Sequence, residues 1–157
     1  MSSSSNLQTL SILLERAEAE RDEAQRALQD CLARADAARA QHGQLTQYRG
    51  EYQQRWSQQF ARQGTMDIVA CYQNFGGKLD QAISSQSNVA NHADQRVVRA
   101  REALRELEMR VASIRKLLER RRLETSRAAQ RQEQKVTDEQ AARAALAAFN
   151  PFMRLSA

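Results

Sequence analysis

The stretch Trp56-Ser-Gln-Gln-Phe60-Ala-Arg-Gln-Gly64-Thr65 decides the fold. One long helical pattern runs up to it and another runs away from it. Glycine enters left-handed backbone without a Cβ penalty, so Gly64 is expected to end the first helix in that conformation. Thr65 is a natural N-cap, and Asp67 places a carboxylate in the following first turn, where the positive end of a helix dipole favours it. The stretch predicts a helix, a short turn, and a second helix folding back.

The flanking patterns carry this outward. Before the turn, Leu7, Leu10, Leu14, Ala17, Arg21, Ala24, Leu28, Cys31, Ala35, Ala38, His42, Leu45, Arg49, Tyr52 and Trp56 follow in steps of three and four. Only Arg21, His42 and Arg49 interrupt the apolar run. After the turn, Leu79, Ile83, Gln86, Ala90, Ala93, Val97, Ala100, Leu104, Leu107, Val111, Ile114 and Leu118 do the same, with Gln86 the sole break. Such steps sustained over many heptads mark the seam of a coiled coil. Folding the chain about Gly64, so that facing residue numbers sum to 128, brings Leu10 to Leu118, Leu14 to Ile114 and Leu28 to Ala100. A shift by one heptad aligns the seams equally well, so the turn chemistry favours this register without fixing it. The expected fold is all-α: a long antiparallel two-helix coiled coil, an α-helical hairpin, with an unpaired C-terminal extension of the second helix.

Composition fits a helical hairpin better than a globular core. The 157 residues include one proline, five glycines and 5% aromatic residues, and the chain is rich in Ala, Arg, Gln, Glu and Leu. It is read as a single domain over residues 1–157. A polar leader, 1–6, is expected to be flexible. Helix 1 is predicted over about 7–62, the turn over 63–65 and helix 2 over about 66–148, with 149–157 flexible after the stop at Asn150-Pro151. Gly43, Gly50 and the pair Gly76-Gly77 loosen the turn end, each costing about 1 kcal/mol against alanine in a helix interior. A break at Gly76-Gly77, leaving 66–75 as a separate short helix, is the alternative. Residues beyond about Leu118 to Arg122 have no seam partner within one chain, and polar helices without a partner are marginal.

Net charge is +5, and its placement is uneven. From Arg96 to Arg131 there are twelve Lys/Arg against five Asp/Glu, a local net of +7. That run reads either as a solvated helix face, supported by pairs such as Asp22/Arg26 and Glu106/Arg110, or as a surface for an acidic partner. No hydrophobic run approaches the ~18 residues of a membrane span, and the N-terminal Met-Ser-Ser-Ser-Ser-Asn lacks signal-peptide character. A cytoplasmic protein is expected. Cys31 and Cys71 lie too far apart along a hairpin to bridge, roughly 39 Å at 1.5 Å per residue. Cys31 reads as a small seam residue facing Val97.

Catalytic features are absent from the sequence. It has no glycine-rich phosphate loop, no Cys/His cluster and no nucleophile motif, and His42 and His92 fall at different levels of the hairpin. No catalytic residue, metal site or cofactor is expected, and a stripe between two helices offers no concave substrate pocket. The expected function is binding.

Two stripes bear on it. Gln41, Leu45, Tyr48 and Tyr52 are spaced by four, three and four residues, as are Phe75, Leu79, Ala82 and Gln86. In the register above they flank the same end of the hairpin. Leu45, Tyr52, Leu79 and Gln86 also belong to the seam, so packing near the turn is one reading. Tyr48 and Phe75 lie off the seam, and exposed aromatics are better explained as partner contacts. Leu45-x-x-Tyr48-x-x-x-Tyr52, Tyr72-Gln-Asn-Phe75-x-x-x-Leu79-x-x-Ala82-Ile83 and Glu133-x-Lys135-x-x-Asp138-Glu139 together resemble the FliJ family of the flagellar type III export apparatus, over nearly the whole chain.

The resemblance implies an antiparallel coiled coil that looks like the central stalk subunit of rotary ATPases. It implies a soluble protein at the inner-membrane flagellar basal body. The end carrying the termini would enter the hexameric export ATPase (FliI) and promote its assembly and activity. The turn-proximal surface would contact the cytoplasmic domain of the export gate protein (FlhA), and export chaperones would be further partners. Carried over by position, the gate contacts are Gln41, Leu45, Tyr48, Tyr52, Phe75, Leu79, Ala82 and Gln86. Gln86 stands where some relatives have histidine, and Gly76-Gly77 replaces bulkier residues. For the ATPase end the candidates are Leu10, Leu13, Leu14 and Arg16, with Lys135, Asp138 and Glu139. Two other readings stay open: a scaffold self-associating through 122–148, and a nucleic-acid or anionic-membrane binder using Arg96–Arg131. Against a nucleic-acid binder, no aromatic residue is interleaved among those arginines.

Overall fold

A computed structural model describes residues 2–149. Helix α1 spans Ser2–Phe60 and helix α2 spans Met66–Phe149, and the two pack against each other as an all-α hairpin. α1 begins at Ser2, so residues 2–6, expected as a leader ahead of helix 1, belong to the helix. Thr9 Oγ1 donates to the Ser5 carbonyl at 2.9 Å within that first stretch. α2 passes through Gly76-Gly77 without a break. The stop at Asn150-Pro151 lies outside the described residues.

Every seam position of both helices is buried or half-buried, as the three-four spacing requires. The buried apolar positions are mostly small or β-branched: Ala17, Ala35, Ala38, Ala90, Val97 and Val111, with Leu79 and Leu118. Alanine layers let two helices approach closely, while the larger residues fill the wider layers between them.

The turn differs from expectation at Gly64. Among the described residues no glycine has a positive φ, so α1 does not close through a left-handed residue. Its end is closed by the Gln59 carbonyl, which accepts from Arg62 N–H at 3.1 Å and from Gln63 N–H at 2.9 Å. These two hydrogen bonds satisfy a carbonyl the helix end would otherwise leave unpaired. Thr65 stands where the N-cap was expected, its carbonyl accepting the first bond of α2 from Val69 N–H at 3.2 Å, and Asp67 is in the first turn.

The chain divides into two units. One, Glu18–Met109, contains the turn and the helical stretches on both sides of it. The other joins the start of α1, through Ala17, with α2 from Arg110 onward. In this second unit Ala17, Val111 and Leu118 are buried and Leu10, Leu14 and Ile114 half-buried. Beyond Leu118, every described residue from 119 to 149 is exposed. The extension is therefore helical but uncovered.

Candidate partner-binding surfaces

The turn-bearing unit is held by unlike contacts superimposed on the seam. Tyr52, Trp56 and Phe60 recur every four residues and form one ridge of α1. They meet Tyr72 and Phe75 of α2. The Tyr52 and Tyr72 rings stack at 5.5 Å, Tyr52 and Phe75 lie 4.9 Å apart, and Tyr72 contacts Trp56 at 6.0 Å and Phe60 at 5.3 Å. Offset and edge-on pairs of this kind contribute about 0.5–1.5 kcal/mol each beyond their burial. Burial among these rings pushes the Tyr52 phenol above its ordinary pKa.

Two of the polar interruptions of the seam, Arg49 and Gln86, find partners across it. Arg49 donates from Nε to Asp80 Oδ1 at 3.0 Å and lies 5.9 Å from the Tyr72 ring centroid. The Asp80 bond, helped by Tyr72, raises the guanidinium pKa further. Room for the guanidinium comes from Gly76: a Cβ there would approach Arg49 Nη2 to 3.2 Å. Arg49 Nη1 is buried without a partner. Gln86 Nε2 donates to the Ala38 carbonyl at 3.2 Å, and Arg39 Nη2 donates to Asp94 at 2.9 Å. Arg21 pairs locally, with Asp22 at 3.0 Å. Asp22 thus engages Arg21 rather than the expected Arg26, which donates instead to the Asp22 backbone carbonyl at 3.4 Å.

The two stripes divide by exposure. Leu79 is buried, and Leu45, Tyr52, Ala82 and Gln86 are half-buried in or beside the seam. Gln41 is exposed, Tyr48 is 46% exposed and Phe75 41% exposed. Phe75 leans on Tyr52 while keeping its outer face open. Tyr72, Trp56 and Phe60 complete the ring cluster that positions it. Spacing alone passed over Phe60 as a contributor, although its place four residues after Trp56 was the available signal.

In the other unit, Leu10 and Leu14 are half-buried, whereas Leu13 is 46% exposed and Arg16 is exposed. Ile12 and Leu117 are exposed as well. Lys135, Asp138 and Glu139 all lie on the uncovered part of α2. Among the described residues no group of three or more His, Cys, Asp or Glu is placed to hold a metal ion, and Cys31 and Cys71 are free thiols. Among the described residues no helix is long and apolar enough to cross a membrane.

A search of curated proteins and of solved structures finds no match at a significant level. A family model described as Flagellar FliJ protein does match, over residues 6–148. That span takes in the turn, both stripes and most of the uncovered extension. The chain belongs to the flagellar FliJ protein family, whose members are non-catalytic components of the flagellar export apparatus.

Proposed function

We propose that this protein is the cytoplasmic stalk and adaptor of the export apparatus, peripherally associated with the inner-membrane basal body. It inserts into the hexameric export ATPase, promotes assembly and activity of the ring, and couples the ring to the export gate and to export chaperones. The observation that carries the ATPase role is the helix beyond Leu118, exposed at every described residue through 149. A helix presenting all its faces suits contact with subunits arranged around it. Lys135, Asp138 and Glu139 on that extension, and Leu13 and Arg16 near the start of α1, are the residues assigned to the ring, with Leu10 and Leu14 supporting them from the seam.

The gate contact is assigned to the stripe at the turn-bearing unit. Tyr48 and Phe75 supply its exposed aromatic area, which is the kind of surface that concentrates binding energy. Gln41 flanks them, while Leu45, Tyr52, Leu79, Ala82 and Gln86 hold their backbones in place.

The test is ATP hydrolysis by the cognate export ATPase across a range of concentrations of this protein, with ring assembly followed in parallel. Stimulation together with assembly is expected. Neither stimulation nor binding would remove the ATPase role. For the gate, Tyr48→Ala with Phe75→Ala should weaken binding of the gate cytoplasmic domain about tenfold or more while helicity is retained; unchanged binding would remove that assignment. The uncovered helix also suits pairing between copies of the chain, and a mass rising with concentration in sedimentation would favour that second reading.

A further inference from the structure

A groove of about 520 Å³ runs along one side of the turn-bearing unit, and the reading above gives it no role. Part of its lining is small and apolar, with His92 and Gln95 of α2 beside it. Cys31 and Ala38 of α1 and Ala93 of α2 line it, and Val89 stands at its edge 52% exposed. The small seam residues cause the groove: where alanines face one another, the seam closes tightly and no long side chain fills the lateral recess beside it.

Its rim is cationic. Arg34 stands on one wall, and Arg96 and Arg99 on the other. Among the described residues no ion pair engages any of the three, although such pairs form nearby at Arg39–Asp94 and Arg49–Asp80. Asp30, one turn before Arg34, and Glu102, three residues after Arg99, are exposed and form no ion pair with them. Three unpaired guanidinium groups around an apolar recess create a local field that favours negative charge.

We propose that this groove docks an acidic amphipathic helix of a partner protein. Small apolar side chains of that helix would sit on Ala38, Ala93 and Val89, and its carboxylates would flank them to meet Arg34 on one side and Arg96 and Arg99 on the other. Two features select a helix. A groove between two packed helices accepts a third by the same ridge-and-groove rules, and helix-in-groove docking is read as anchors every three or four residues. Arg96 and Arg99 are one turn apart, matching carboxylates one turn apart on the incoming helix. Duplex or single-stranded nucleic acid fits less well, because the lining carries no Phe, Tyr or Trp, the His92 imidazole is its one ring, and Ala38, Ala93 and Val89 offer apolar contact instead. The proposal goes beyond the export reading and does not depend on either of its contacts.

The test uses the full chain and a fluorescein-labelled helical peptide of about 21 residues, with Ala and Leu on one face flanked by Glu, read by fluorescence anisotropy. A Gln-for-Glu version is the control. The acidic peptide is expected to bind, the Gln version to bind at least about tenfold more weakly, and affinity to fall as salt rises from about 0.05 to about 0.5 M. R34Q/R96Q/R99Q should reduce binding about tenfold or more with unchanged circular dichroism, since all three residues are exposed. Val89→Glu should also reduce it, whereas R127Q/R131Q, on the uncovered extension, should not. Absence of binding would overturn the proposal. So would binding that survives the groove variants but is lost in R127Q/R131Q. Capture of a DNA duplex in the groove in place of the peptide would overturn it in favour of nucleic acid.

Discussion

Replacing Gly43, Gly50 and Gly77 together with alanine is expected to stabilise the turn-bearing unit by about 2.4–3 kcal/mol. All three lie inside helices, none has a positive φ, and a Cβ added at any of them meets nothing within 4 Å. No clash opposes the substitution and no new packing rewards it. The whole effect is therefore the difference in helix propensity, about 0.8–1.0 kcal/mol per site. Gly43 and Gly50 are two turns apart and Gly77 is on the other helix, so the gains should add within roughly 0.5 kcal/mol. Gly76→Ala is the internal control. Its Cβ would come within 3.2 Å of Arg49 Nη2 and 3.5 Å of Cζ. The propensity gain is then offset by displacement of a guanidinium that holds Asp80. Urea unfolding followed at 222 nm gives the comparison, with an unchanged slope showing that the same surface unfolds. A triple variant with an unmoved midpoint would refute the propensity argument. Gly76→Ala stabilising as much as Gly77→Ala would refute the role given to Arg49.

Val111, 2% exposed, should cost roughly 2 kcal/mol when cut to alanine, whereas exposed Val98 should change stability by less than about 0.5 kcal/mol; equal losses in urea unfolding would mean that Val111 is not core. With Cys31 and Cys71 replaced, cysteines at Leu14 and Ile114 should form a disulfide within one chain, seen as a monomer on non-reducing electrophoresis; dimers alone would contradict the hairpin. Tyr52 should ionise above the ordinary value of about 10, because burial disfavours its phenolate. Its folded pKa is raised, so the stabilisation is fully present below about pH 10 and lost as pH rises through the folded value. The difference between absorbance titrations at 295 nm of the native chain and Tyr52→Phe isolates that step; a step at or below the free-tyrosine value would contradict the packing described.

Much of this was legible because a seam is a periodic signal. Leu10, Leu14 and Ile114, and likewise Ala35, Ala38 and Ala90, are marked by spacing alone, and spacing is what burial follows in a two-helix hairpin. Turn chemistry was legible at Thr65 and Asp67 but misleading at Gly64. A glycine after a helix permits a left-handed cap without requiring one, and here the Gln59 carbonyl finds two donors instead. The start of α1 was misplaced because serines are poor helix formers, yet Ser2 to Ser5 continue the helix that follows them. Arg49 looked like a defect in the seam. Its tolerance depends on Asp80 and on the missing Cβ of Gly76, residues about thirty positions away that no local pattern connects to it. The groove beside Ala38 and Ala93 was also missed: spacing shows which residues face inward, whereas a recess arises from their sizes in two helices at once.

These unlike contacts resolve what the seam leaves open. An apolar three-four repeat matches itself after every heptad, so it stabilises several registers about equally. A slip of seven residues would carry Arg49 and Asp80 about 10 Å apart along the axis. It would also separate Gln86 from the Ala38 carbonyl and take Tyr72 away from the Trp56 ring. Arg49, with an unsatisfied Nη1, adds little net stability where it is. In a slipped register it would be placed in the seam without Asp80 and without the space left by Gly76, and the cost of burying an unpaired charge would count against that register. The register seen here, with Trp56 against Tyr72 and Arg49 against Asp80, follows from that penalty. It places Tyr48 and Phe75 on the same unit, with Phe75 held against the ring cluster, so the contacts that select the register also build the surface assigned to the gate.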